Sequence, residues 1–154
     1  MLDSKAFRRG ARHTDREVSV VNPALYEDLI GVPFIDGGRD PKTGLDCWGL
    51  VMELYRRFGH PVEDYKIAAV DVAKIADTMA NSTATRWGET HTQAPGSVVL
   101  IRLSTDVWAN HAGVCLGNGR FIHAYTPTGV CIDRLKKWES RIVGYYRPAR
   151  GDKK

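Results

Sequence analysis

Between Asp46 and Phe58 the apolar residues Cys47, Leu50, Val51, Leu54, Tyr55 and Phe58 recur at the spacing of one face of an α-helix. Arg56 and Arg57 fall in its last turn, where cations suit the helix dipole, and Gly59, His60 and Pro61 end it. A second amphipathic helix is predicted over Val70 to Met79, with Val72, Ile75, Ala76 and Met79 on one side. Upstream, within Val18 to Leu29, a short helix is expected after Asn22, since Asn caps well and Pro23 suits a first helical turn. Gly31, Pro33, Gly37, Gly38, Pro41 and Gly44 then punctuate a loop that runs into the Asp46 helix. After Pro95 and Gly96 the pattern changes. Val98 to Leu103, His111 to Leu116, Phe121 to Tyr125, Val130 to Arg134 and Ile142 to Arg147 are short, rich in β-branched and aromatic residues, and separated by turn residues. Helices followed by a meander of strands predict an α+β domain in which the helices pack on an antiparallel sheet.

Composition bounds this picture. The chain has 154 residues, 43% of them hydrophobic, which fits one domain and leaves no room for two large ones. No run approaches the roughly 18 to 20 apolar residues of a membrane-spanning helix, so no membrane insertion is expected. Residues 18–148 read as the domain, 1–17 as a polar, flexible start and 149–154 as a flexible basic tail. The start carries Arg8, Arg9, Arg12 and Arg16 with no apolar run behind them, so no secretory signal peptide is expected. Lys and Arg total 22 against 18 acidic residues, a net +4, and much of the excess sits at the two ends; nucleic acid is not the expected partner. Three cysteines, Cys47, Cys115 and Cys131, with no C-x-x-C pair, argue against a disulfide framework and against a zinc site.

Cys47 is the cysteine with a chemical setting. It lies in the first turn of a helix behind a Gly-rich loop, where backbone N–H groups and the helix dipole favour thiolate and could receive an oxyanion. It is also in phase with the apolar face, as a buried structural cysteine would be. Cys115 and Cys131 lie within strands and read as structural. A thiol nucleophile needs a proton acceptor. Of five histidines, His13, His60 and His91 fall in polar or helix-ending segments, whereas His111 and His123 fall in strands joined by Gly117-Asn118-Gly119. If that loop has three residues, Leu116 pairs with Arg120, His123 faces Gly113, and the histidines are diagonal neighbours on one face with Gly113 leaving room between them. A two-residue Asn118-Gly119 turn would pair Gly117 with Arg120 and put the histidines on opposite faces.

Three blocks then coincide: Leu45-Asp46-Cys47-Trp48-Gly49-Leu50-Val51, Pro95-Gly96-Ser97-Val98-Val99-Leu100, and Asn110-His111-Ala112-Gly113-Val114 continuing through Gly117-Asn118-Gly119 to Phe121-Ile122-His123-Ala124. Together, over roughly Ile30 to Pro148, they resemble the NlpC/p60 family of papain-like cysteine peptidases. Such members carry a Cys at a helix start, a His on a strand and a third polar residue on the next strand, twelve positions on, as His111 and His123 are. The resemblance implies a papain-like fold, Cys47 as nucleophile, His111 as general base and acid, and His123 as the residue orienting His111. It implies hydrolysis of peptidoglycan stem-peptide amide bonds, often between D-γ-glutamyl and a diamino acid, with no metal and no cofactor. Asp46, Trp48 and Phe34 are the expected substrate-binding residues. The Asp46 helix start and the ending Trp138 to Pro148 resemble versions from tailed phages and prophages, which implies a virion-associated protein that meets tail-tip proteins and acts at the cell wall. Relatives commonly have Ser after the Cys and Asp in the Pro-Gly block, where this chain has Trp48 and Ser97, and cell-wall recycling members have a Tyr where Phe34 stands. The bulk of Trp48 keeps open a catalytically lapsed tail protein of the same fold, and Cys/His chemistry keeps open an amidase or transferase on another acyl substrate.

Overall fold

The computed structural model describes residues 7–13, 16–65, 87–90, 93–103 and 111–148. The first elements are an antiparallel pair, β1 (Phe7–His13) and β2 (Arg16–Val21). No element was expected over 1–17, because its arginines hide any alternation; ladder bonds need only backbone, and here the backbone pairs with one register shift between Arg9 and Arg12. Asn22 caps as expected, its side chain accepting from the Ala24 N–H at 3.1 Å, with Pro23 following. What it starts is two 3-10 turns, Pro23–Leu25 and Glu27–Leu29, broken at Tyr26, rather than one helix. The loop beyond holds a two-residue pairing of β3 (Arg39–Asp40) with β4 (Gly44–Leu45).

The helix α1 (Cys47–Arg57) forms where the apolar period placed it, and its inward face buries Leu50, Val51, Leu54 and Tyr55 completely. The expected second helix, Val70 to Met79, lies outside the described residues. Five of the six main-sheet strands follow the sequence reading: β6 (Val98–Ile101), β7 (His111–Gly117), β8 (Arg120–Tyr125), β9 (Gly129–Arg134) and β10 (Ile142–Pro148). The sixth, β5 (Trp87–Thr90), was not expected, and it pairs with β10 at the sheet edge. The antiparallel order is β5-β10-β6-β7-β8-β9.

Alternation along these strands builds two cores. Val98, Leu100, Ala112, Val114, Ile122, Ala124 and Val130 face α1, while Val99, Ile101, Cys115 and Phe121 face away and are closed over by Leu135 and Trp138 from a 3-10 turn, Leu135–Arg141. Both faces of β7 are therefore covered, and all seven of its residues are buried. Tyr55 ties α1 to the sheet by donating its hydroxyl to the Gly96 carbonyl. Ser97, next to Gly96 in the Pro-Gly block, is fully buried there, and its hydroxyl has no hydrogen-bond partner among the described residues. No helix among the described residues is long and apolar enough to cross a membrane.

Candidate active site

The β7–β8 hairpin decides where the histidines point, and it combines the two turns the sequence allowed. Asn118 (φ 57°) and Gly119 (φ 74°) form a two-residue turn, so Gly117, not Leu116, pairs with Arg120. That turn alone would separate the histidines. A bulge between Cys115 and Gly117 takes up Leu116 as the extra residue and restores the pairs Cys115–Phe121, Val114–Ile122 and Gly113–His123. His111 and His123 thus share a face, and their rings meet, Nε2 of His111 lying 2.8 Å from Nδ1 of His123. Gly113 makes the room: a Cβ there would come within 2.8 Å of the Ile122 carbonyl oxygen and 3.1 Å of the His123 Cβ.

The row of contacts does not stop at His123. Its Nε2 lies 2.9 Å from Oδ2 of Asp133, which also accepts the Trp138 indole N–H at 3.2 Å; the Lys137 ammonium stands 3.5 Å from the other oxygen. Sequence reasoning missed Asp133. The signal was present in the register of the next hairpin, because His123 pairs with Cys131 and Asp133 is two residues further along the same face. Burial pushes the Asp133 carboxyl up, but the hydrogen bonds from His123 and Trp138 overcome this and hold it below the usual carboxylate value. His123 is lowered by burial, against the opposing pull of Asp133. His111, also buried, is lowered to about 3, first by desolvation and then by His123.

Cys47 opens α1 and its sulfur sits against the start of β7, where hydrogen bonds from the backbone of Ala112 and Trp48 lean on it. These were expected to favour thiolate. Burial wins instead: with Cys47 only 3% exposed and the Asp46 charge beside it, the thiol is pushed up to about 12, and the backbone bonds and Arg39 offset only part of this. No hydrogen bond joins the Cys47 sulfur to His111 among the described residues; in resting sites such bonds are often long and tighten when substrate binds. Cys115 is buried and its thiol is likewise pushed up to about 12 by desolvation, while the half-buried Cys131 accepts from the Thr128 hydroxyl at 3.3 Å.

Two of the residues expected to bind substrate are fully buried and hold parts of the fold together. Asp46 is fully buried as the N-cap of α1: Oδ1 accepts from the Gly49 N–H at 2.8 Å and from Arg39 at 2.7 Å, and Oδ2 accepts from the Gly37 N–H at 3.0 Å. Gly49 belongs to the same clamp, since a Cβ there would collide with the Gly38 carbonyl oxygen. Trp48 is also fully buried, turned into the core with its indole N–H on the Glu63 carbonyl at 3.0 Å and its ring stacked 5.0 Å from Tyr65. Phe34 is half-buried in the loop, bridged to Leu45 and packed on the main core.

His123, Cys131 and Asp133 present potential metal ligands within 4.8 Å of one another. The Lys137 ammonium at Asp133 opposes a cation there, and the His123 and Asp133 atoms are already joined to each other.

Known proteins resemble this chain in sequence and in fold. The sequence profile of the NlpC/P60 family matches residues 31–147. The chain is 30% identical over 149 residues to a gamma-DL-glutamyl hydrolase of Bacillus subtilis, covering 92% of this chain and 32% of that protein. It is 30% identical over 121 residues to the murein DD-endopeptidase MepH of Escherichia coli, covering 77% of this chain and 41% of that one. It thus spans less than half the length of either relative. A crystal structure of an NLP/P60 family protein similar to lipoprotein from Staphylococcus aureus superposes with a TM-score of 0.58 at 22% identity, covering 84% of this chain and 41% of that chain, and shows the same fold. With the helix-borne cysteine and the strand-borne histidine pair on a papain-like α+β frame, the chain belongs to the NlpC/P60 family.

Proposed function

We propose that this protein is a peptidoglycan-directed cysteine endopeptidase that hydrolyses stem-peptide amide bonds of the γ-D-glutamyl-diamino acid type. The observation that carries the reading is the buried His111–His123 contact beside a helix-start cysteine. Cys47 is the nucleophile. His111 takes the thiol proton as sulfur attacks the amide carbonyl, then gives it to the leaving amine. Water, deprotonated by the same ring, hydrolyses the thioester and returns the thiol. The backbone N–H groups at the start of α1 are the donors available to the tetrahedral oxyanion. His123 holds the ring of His111 in place, as the third group of a Cys-His-Asn centre does.

The name of the murein endopeptidase supports a wall-peptide amide as substrate, and the name of the glutamyl hydrolase supports a γ-glutamyl bond. The buried position of Trp48 removes the observation that favoured a lapsed enzyme. The further proposal, a phage or prophage tail component brought to the wall by the virion, rests on the resemblance of the Asp46 helix start and the Trp138 to Pro148 ending to tail-associated members; finding the protein in purified virions is its test. For the activity, purified sacculi digested with the protein are expected to yield new amino and carboxyl groups and no new reducing ends, and Cys47→Ala to yield neither. New reducing ends, or full release by Cys47→Ala, would overturn the assignment.

A further inference from the structure

A carboxylate can only accept hydrogen bonds, and a neutral imidazole carries one N–H. These two rules fix every proton in the row of groups behind Cys47. Asp133 Oδ2 lies 2.9 Å from Nε2 of His123, so that nitrogen holds the hydrogen. Nδ1 of His123 is then a bare lone pair, and the nitrogen facing it at 2.8 Å, Nε2 of His111, must donate. The remaining nitrogen of His111, Nδ1, is left bare, and a bare nitrogen is what accepts a thiol proton. We propose that Asp133 is a positioning residue which, acting through His123, sets which nitrogen of His111 is free to take the proton of Cys47. This deepens the hydrolase reading and rests on it for its consequence in catalysis.

Without an acceptor at Asp133, His123 can reverse. Its Nδ1–H would donate to Nε2 of His111, and the His111 hydrogen would move to Nδ1, where the ring can no longer act as base. The surroundings of Asp133 oppose such a reversal. The Trp138 indole N–H donates to the same Oδ2 at 3.2 Å, and Trp138 stands edge-on to His123 with centroids 5.4 Å apart. Arg141 lies 5.8 Å from the centre of the same indole, on the 3-10 turn that carries it. The carboxylate oxygen that meets His123 is therefore itself held by a second donor, and the segment Leu135–Arg141 acts as its clamp.

The experiment has a reading that needs no hydrolysis. In 15N-labelled Cys47→Ala protein, long-range proton–nitrogen correlations of the histidine rings are expected to show hydrogen on Nε2 of both His111 and His123. Adding Asp133→Ala is expected to bring up the Nδ1–H form of His111; unchanged ring patterns would overturn the proposal. In the otherwise unaltered protein, Asp133→Ala is expected to lower kcat on sacculi by about tenfold or more, with KM within about twofold, as befits loss of tautomer control. Asp133→Asn is expected to stay within about threefold of wild type, because the Trp138 N–H selects the amide oxygen for the Oδ2 position and keeps an acceptor on His123. Asp133→Asn with Trp138→Phe frees the amide to flip and is expected to fall below either single variant. Wild-type kcat in Asp133→Ala, or an Asn variant as poor as the Ala variant, would overturn the proposal. If wild-type protein releases nothing from sacculi, the hydrolase reading fails while the ring patterns still decide the role of Asp133. Should Asp133→Ala not fold, the same ring patterns in the Asn single and Asn/Phe double variants decide it.

Discussion

Replacing Asp46 separates a capping role from a substrate-binding one. In Asp46→Ala three hydrogen bonds vanish from a fully buried carboxylate. Loss of the cap on the Gly49 N–H costs about 1 kcal/mol. The charge-assisted bond to Arg39 adds about 1.5 to 3 kcal/mol, toward the low end because Arg39 is 23% exposed and retains Asp64 at 3.2 Å and the Gly38 carbonyl at 2.9 Å. The Gly37 N–H, on an exposed residue, turns to water at little cost. The total is about 2.5 to 3 kcal/mol, below the roughly 3 to 5 of a fully buried pair with one partner removed. Asp46→Asn keeps an oxygen for Gly49 and Arg39 and loses charge and the Gly37 bond, so about 1 kcal/mol is expected. Urea unfolding read as the midpoint at constant m measures both. The Asn variant also removes the negative charge that raises the Cys47 thiol, so Cys47 should alkylate faster while KM stays put. An Ala variant within about 0.5 kcal/mol of wild type, or an Asn variant whose KM rises without loss of stability, would refute the capping account.

Three further outcomes follow from the geometry. Gly113→Ala drives a methyl against the Ile122 carbonyl and the His123 Cβ, and should cost about 1 to 3 kcal/mol in urea unfolding and remove activity together; full activity would mean that the tight approach is not needed. With His111 lowered to about 3 and Cys47 raised to about 12, kcat/KM on an uncharged substrate should show no acid inflection near the ordinary histidine value of about 6.5, and one there would contradict the buried, neutral ring. Iodoacetamide at neutral pH should modify the half-exposed Cys131 before Cys47 in the resting protein, as mapped by mass spectrometry; Cys47 labelled first would show that the thiol is already ionised.

The elements that could be read in advance are those with a strong local period. The α1 stripe and the strands β6 to β10 alternate or repeat clearly, and their boundaries shifted by a residue or two. Strand β5, Trp-Gly-Glu-Thr, has no alternation to read and exists because β10 offers it an edge. The His111–His123 pairing was legible as one of two registers, but the bulge that reconciles an Asn-Gly turn with shared faces is a tertiary choice: it keeps Leu116 buried and leaves Gly117 at φ 101°. Asp133 required carrying the register one strand further than the histidines. The burial of Asp46 and Trp48 was not legible either, because adjacency to Cys47 in sequence says little about direction on a helix, where successive side chains are about 100° apart. The same limit applies to the thiol. A helix start is visible in sequence, whereas the depth of burial that overrides it is not.

That burial also shapes how the proposed reaction can begin. A lone thiolate or a lone imidazolium in this site would each forfeit hydration, which is why the thiol stands near 12 and the ring near 3. Passing the proton from Cys47 to His111 makes both charges at once and leaves the net charge unchanged, so each ion becomes the other's counter-charge at short range. Groups are already aimed at both. The Ala112 and Trp48 backbone and the Arg39 charge favour negative sulfur, while the lone pair of His123, backed by the Asp133 carboxylate, favours a positive ring. Besides burial, the Asp46 charge opposes the thiolate, and the cap it provides is what fixes the helix start that presents Cys47. An ion pair stored before substrate arrives would need the site to be wetter than it is. The arrangement instead favours a pair that forms as sulfur attacks, with the negative charge moving on to the substrate oxygen beside the backbone donors at the start of α1.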